Sequence, residues 1–158
     1  MTKNDGKTIL LITIPLLILI FDRVTKYIVN LIILPGQNIS ILGQLLTFTK
    51  TFNKGFAFGM GQQFGIINAA VATLIVFALI YFFTKSDFQL KLPLSVIIGG
   101  AISNIIDRIF FFPNGVLDFI RVFGFSTFNI ADIAITLGGI WILIVLIKSE
   151  KEINKKHK

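Results

Sequence analysis

Eight of the residues in this chain are acidic, and where four of them stand sets the chemistry open to it. Asp5, Asp87, Glu150 and Glu152 lie in polar, lysine-bearing segments, where solvation accounts for them. Asp22, Asp107, Asp118 and Asp132 lie in or beside long apolar runs, where an unpaired charge costs several kcal/mol. Other chemistry is largely closed. The chain has no cysteine, and its one histidine, His157, is in a lysine-rich tail. Thiol nucleophiles, disulfides, zinc–thiolate sites, histidine metal clusters and a Ser–His–Asp triad therefore have no parts, and no metal or cofactor is expected.

Two of the acids suit general acid–base catalysis. Asp118 follows Gly115-Val116-Leu117, has Arg121 as the nearest basic residue in sequence, and is separated from Asp132 by a segment long enough to bring the chain back to the same depth. Two carboxyls about 3 Å apart cannot both ionise and share one proton. The ionised member takes a proton from a water held between them, and that water attacks a peptide carbonyl. Plainer roles exist. A turn position would by itself explain Asp118, and the positive end of a helix would explain Asp132. Asp22, spaced i,i+4 from Lys26, and Asp107, beside Arg108 and three residues from Asn104, would serve equally as an interhelical polar clamp.

The elements that must position these groups are membrane helices. Of all residues 54% are hydrophobic, only 15% are charged, and mean hydropathy is +0.85, a balance that leaves too little polar surface for a water-soluble shell. Four stretches are long enough to cross a bilayer: 8–29, 64–83, 92–112 and 128–147. The first must take in Asp22 and Arg23, because its uncharged part is too short alone; Pro15 is placed to kink it. No small-residue cleavage pattern follows it, so it reads as an uncleaved helix. Lys3, Lys7, Lys85, Lys91, Lys148, Lys151, Lys155, Lys156 and Lys158 fall on one side of such a layout, nine of the 15 basic residues. The positive-inside rule puts that side, with both termini, in the cytoplasm. The net charge of +7 is then a membrane signature, and no nucleic-acid partner is expected.

Loops 33–63 and 113–127 then face outward. Within the first, Leu46-Thr47-Phe48-Thr49-Lys50-Thr51-Phe52 alternates and predicts a strand with Leu46, Phe48 and Phe52 on one face. A small extracytoplasmic sheet lying on the membrane surface is expected, with an ordinary hairpin capping the helices as the alternative. The fold class is a four-helix all-α membrane bundle carrying that sheet, a single domain over residues 1–158.

Five blocks, in order, resemble bacterial signal peptidase II, an aspartic peptidase family: Asp22-Arg23-Val24-Thr25-Lys26, Asn53-Lys54-Gly55-Phe56-Ala57-Phe58-Gly59, Asn104-Ile105-Ile106-Asp107-Arg108, Val116-Leu117-Asp118-Phe119 and Phe128-Asn129-Ile130-Ala131-Asp132. The resemblance covers nearly the whole chain. It implies removal of signal peptides from diacylglyceryl-modified prolipoproteins, cut just before the lipidated cysteine, in the bacterial cell membrane with the site at the extracytoplasmic face. It implies Asp118 and Asp132 as the catalytic pair, with Asp22, Lys26, Asn53, Gly55, Asn104, Arg108 and Asn129 bracing the dyad or holding substrate. The expected partners are the prolipoprotein and membrane lipids, and the expected working unit is a monomer. Asp107 ranks below the dyad, as a structural residue. The sequence departs from the family's pattern at Arg23, where Gln is usual, at Phe52, where a basic residue commonly stands, at Phe56, where Ala is usual, and at Ser103, which replaces a small Gly.

Two other readings use the same residues. A proton-coupled carrier would need intramembrane carboxylates, but here they cluster at one interface, and stretch 64–83 offers little polar lining beyond Asn68 and Thr73. A non-catalytic assembly subunit would use them only to join helices.

Overall fold

The computed structural model describes residues 3–55, 65–111, 113–124 and 126–156. Phe56 to Gly59 of the second motif block, Phe64 and Phe112 at two of the expected helix ends, and His157 and Lys158 lie outside the described residues. In chain order the elements are α1 (Lys3–Ile32), β1 (Asn38–Ser40), β2 (Leu46–Asn53), α2 (Gly65–Lys85), α3 (Phe88–Phe110), β3 (Val116–Val122), β4 (Ser126–Phe128) and α4 (Ile130–Lys156). Among the described residues, four helices are long and apolar enough to cross a membrane. Their outward faces carry large apolar side chains, Leu31, Phe82 and Leu143 among them, each about 60% exposed. Such surface belongs in lipid, not in water.

Each helix differs in length from its apolar stretch. α1 runs on at both ends, from Lys3 to Ile32, α4 continues through Lys148–Lys156, and α3 begins at Phe88 behind the extended Asp87. Hydropathy marks the part that lipid dissolves, whereas Lys, Glu and Gln are good helix formers and carry the helix into the interface. α4 starts later than expected, at Ile130, because Phe128 belongs to β4.

α3 is the central helix. Half of its apolar window is buried, against 17% or less for the other three, and it packs on α1, α2 and α4. Small residues permit this. A side-chain carbon added at Gly99 would lie 2.7 Å from Pro15 Cα, and one at Gly100 would lie 2.5 Å from Ala131 O. Between membrane helices, where lipid tails are as apolar as leucine, such close backbone approach is a main source of attraction.

The strands form one antiparallel sheet in the order β1-β2-β3-β4. It sits over the end of α1, where Val29 and Ile33 pack against Leu117 and Phe119. β2 matches the expected strand, with one correction. A bulge between Phe48 and Thr51 shifts the register, so that Thr51, Phe52 and Asn53 pair with Asp118, Leu117 and Val116. A one-residue slip exchanges the faces: Phe52 leaves the face predicted for it, and Asn53 takes its place on the side of Asp118. Asp118 itself is on β3, a strand within the segment that the sequence predicts as an outward loop. Val116-Leu117-Asp118-Phe119 does not alternate because it is covered on both faces, all four residues being buried.

Candidate active site

Asp118 and Asp132 line one cavity of about 630 Å³. Its walls come from β3, from α3 through Asn104 and Arg108, from α4 through Asp132 to Leu137, and from α2 through Ala72 and Ile75. Asn53 at the end of β2 completes the polar end, and the rest of the lining is mainly apolar.

Two asparagines hold the acids in place. Asn104 Nδ2 donates to Asp132 Oδ1 at 2.8 Å, and Asn129 Nδ2 donates to Asp118 Oδ1 at 2.7 Å. The asparagines are linked in turn, Asn129 Nδ2 lying 3.2 Å from Asn104 Oδ1. Asn129 also caps α4. Its Oδ1 accepts from Asp132 N at 2.9 Å, while Asp132 Oδ2 accepts from Asn129 N at 3.2 Å. This is a reciprocal capping box, in which an acid three residues into the helix answers the capping side chain. Asp132 therefore does fill the helix-end role that its position suggests, while its other oxygen faces Asn104.

Asp118 is only 2% exposed. Burial pushes its carboxyl up to about 7, the negative charge of Asp132 adds to the rise, and hydrogen bonds from Asn53 and Asn129 with the charge of Lys26 pull it back. An acid so placed keeps its proton to much higher pH than an ordinary carboxyl, up to about 7.

Behind the asparagines, outside the cavity lining, is a cluster of four charges. Lys26 Nζ lies 2.6 Å from Asp22 Oδ2 and 2.7 Å from Asp107 Oδ2. Arg23 lies 2.6 Å from Asp107 Oδ1 and 3.3 Å from Asp22 Oδ2. Ser103 Oγ donates to Asp22 Oδ2 at 2.6 Å and accepts from Arg23 Nε at 3.1 Å. Lys26 Nζ reaches Asn104 Oδ1 at 3.2 Å, which fixes the amide so that its NH₂ points at Asp132. Asp107 pairs with these α1 cations and not with its neighbour Arg108, since adjacent helical residues face different ways. Arg108 instead donates to Gly55 O at 2.9 Å and to Asn104 O at 3.1 Å, and it makes no ion pair among the described residues.

Arg23 and Ser103 stood out in the sequence only as departures from a pattern, yet they touch each other and Asp22, and Arg23 reaches Asp107 as well. A readable signal was present: Arg23 and Lys26 put two cations into a run with one acid, so a second acid had to come from another helix. Asn53 Oδ1 accepts from Gly55 N at 3.0 Å, and Asn68, buried on α2, donates to Lys54 O at 2.8 Å; these bonds tie the segment after β2 to the bundle. Among the described residues no group of three or more His, Cys, Asp or Glu could hold a metal ion.

Fold and site together define a polytopic helical membrane protein with two carboxyls lining one cavity at one end of its bundle. The family described as "Signal peptidase (SPase) II" matches residues 14–148. The chain is 36% identical over 154 residues to the lipoprotein signal peptidases of Staphylococcus aureus strains JH9 and Newman, spanning 93% of this chain and 92% of theirs. Two solved structures, both described as bacterial membrane enzymes obtained by the in meso method, share its fold. One has a TM-score of 0.82 at 32% identity, covering 90% of each chain. The other has a TM-score of 0.74 at 34% identity, covering 87% of this chain and 92% of its own. The chain belongs to the signal peptidase II family and is, by that membership, a peptidase.

Proposed function

We propose that this peptidase removes signal peptides from diacylglyceryl-modified prolipoproteins, using a water activated between Asp118 and Asp132. The observation that carries the reading is that Asp118 and Asp132 both line one cavity, at the polar end of a mainly apolar lining. In the reaction the ionised carboxyl takes a proton from the water as its oxygen bonds to the scissile carbonyl carbon. The protonated carboxyl hydrogen-bonds the carbonyl oxygen. When the tetrahedral adduct collapses and the C–N bond breaks, the leaving amine of the lipidated cysteine takes the proton. Asn104 and Asn129 hold the acids, and Asn53, Gly55 and Arg108 border the place where substrate backbone would lie.

The apolar wall suits the substrate. Ala72 and Ile75 of α2 and Ile133 and Leu137 of α4 line the cavity, and all four belong to helices apolar enough to cross a membrane, so a signal helix and acyl chains can enter from lipid. The lysine distribution supports an orientation with both termini in the cytoplasm and the site at the extracytoplasmic face of the cell membrane. The whole chain then works as one catalytic domain.

The test uses the protein reconstituted in lipid with a diacylglyceryl-modified precursor. Asp118→Asn and Asp132→Asn each abolish cleavage while the protein still inserts and folds; near wild-type cleavage by either would end the dyad mechanism.

A further inference from the structure

The four-charge cluster reaches the two acids of the dyad in a way that its ion pairs alone do not require. Asp22 Oδ1 accepts from the backbone N–H of Ala131 at 3.0 Å, and Ala131 is the residue immediately before Asp132. Asp107 Oδ2 lies 3.4 Å from the backbone N–H of Leu117, the residue immediately before Asp118. Each buried acid thus holds the main chain next to one of the reacting carboxyls. Both acids are bridged twice, once by Lys26 and once by Arg23. None of the four lines the cavity.

We infer that Asp22 and Asp107, bridged by Lys26 and Arg23, form a caliper that sets the separation of Asp118 and Asp132. The inference rests on the reading of those two aspartates as the reacting pair. The physical case has three parts. Two carboxylates against two cations make a neutral cluster, which a low-dielectric site tolerates where an odd charge would not be. Asp22, Asp107 and Lys26 are each 4% exposed or less, so water screens little of their attraction. The third part is the shape of the arginine. Its planar fork puts one arm on each acid and its Nε on the Ser103 hydroxyl that also serves Asp22. A lysine ammonium at position 23 would be a single point of charge, without the planar fork that aims separate N–H groups at Asp22, Asp107 and Ser103. Ala131 N is also one of the unpaired first-turn amides of α4, so Asp22 anchors the helix end from a different helix.

A caliper has its effect on geometry and not on affinity. A misplacement of about 1 Å at a reacting group costs up to about a hundredfold in rate, while substrate contacts, made by other residues, stay as they are. Arg23, Asp22, Lys26 and Asp107 are therefore positioning residues.

The experiment measures kcat and KM on the full chain in lipid, with a diacylglyceryl peptide carrying a fluorophore and a quencher across the scissile bond. Thermal unfolding of each variant shows that it is folded. Arg23→Lys keeps the charge and loses the fork; kcat falls about tenfold with KM unchanged, as it does for Arg23→Gln. Asp107→Glu keeps the charge and lengthens one arm; kcat falls by about as much or more. Should the charge variants fail to fold, Ser103→Ala, which removes only the shared hydroxyl, still carries the test through a several-fold loss in kcat. A folded Arg23→Lys or Ser103→Ala enzyme with kcat within about twofold of wild type, or with a raised KM and unchanged kcat, overturns the caliper. Failure of the underlying reading has a different signature: cleavage would persist in Asp118→Asn or Asp132→Asn. If those two are inactive while Arg23→Lys matches wild type, the caliper alone is wrong.

Discussion

Replacing Asp118 with asparagine is expected to make the protein more stable at neutral pH while it destroys activity. The carboxyl rises from an ordinary 3.8 to about 7 in the folded chain, first through burial and then through the charge of Asp132. That is roughly three units, and at about 1.4 kcal/mol per unit it amounts to about 4 kcal/mol of differential stability. The sign follows from the direction of the rise. Below the ordinary value both folded and unfolded chains hold the proton, and stability is at its fullest. Between there and about 7 only the unfolded chain ionises, so stability falls as pH rises. Above about 7 both are ionised and the loss is complete. The amide of the Asp118→Asn variant has no such titration, keeps the shape, and keeps an oxygen to accept from Asn129 Nδ2. The advantage of Asp118→Asn over wild type should therefore grow by about 3 kcal/mol between about pH 5 and pH 8. Asp132, Arg108 and Lys26 are present in both proteins and largely cancel. Unfolding free energies from denaturing-detergent titrations at several pH values measure this directly. Parallel curves for the two proteins, within about 1 kcal/mol, would refute the claim that the Asp118 carboxyl is held away from water beside a second acid.

Gly115→Ala should cost about 3 kcal/mol of stability, because Gly115 has φ +84° and an added carbon would meet Asn53 O and lie 2.9 Å from Asn53 C; detergent unfolding measures it, with a matching loss of activity as β2 is pushed from β3. Gly100→Val should separate α3 from α4 at Ala131 O, only 2.5 Å from the added carbon, lowering the unfolding midpoint by the equivalent of about 2 kcal/mol and reducing kcat. Asn53→Ala removes a hydrogen bond that favours ionised Asp118, so the alkaline limb of the profile of kcat/KM against pH should move to higher pH, whereas an unmoved limb would show that Asn53 does not touch the carboxyl.

The helices were legible in the sequence because lipid imposes a length and a composition that few other environments do. Their ends were not, since Lys148–Lys156 continue α4 with residues that favour helix but not lipid. β2 was legible by its alternation, yet its bulge was not, because an extra residue leaves no mark when Thr, Lys and Thr sit around it; the face of Phe52 was misjudged for that reason. β3 left no period-two signal at all. Asp118 and Asp132 could be singled out as acids beside apolar runs, Asp132 with no cation at helical spacing. What joins them could not: Asp22 to Ala131 and Lys26 to Asn104 are bonds between residues far apart in the chain, and a lone sequence carries types and spacings, not such pairings.

The two walls of the cavity are held by different forces. α1, α3 and α4 meet through close backbone contact at Gly99 and Gly100 and through charge pairs with hydrogen bonds, both specific in direction and distance. α2 brings no charge to the site; its side of the cavity is Ala72 and Ile75, and its polar tie to the site end is the bond from Asn68 to Lys54 O. In a bilayer, apolar contact between helices is worth little more than contact with acyl chains. In the proposed function, a signal helix or acyl chain between α2 and α4 would therefore replace contacts of nearly equal worth on the α2 side. The carboxyls stand on β3 and α4, held by Asn129 and Asn104, with the charge cluster behind them outside the cavity lining. In the proposed function, the polar residues that burden this small bundle energetically are the ones that would keep its chemistry in register while an apolar guest comes and goes.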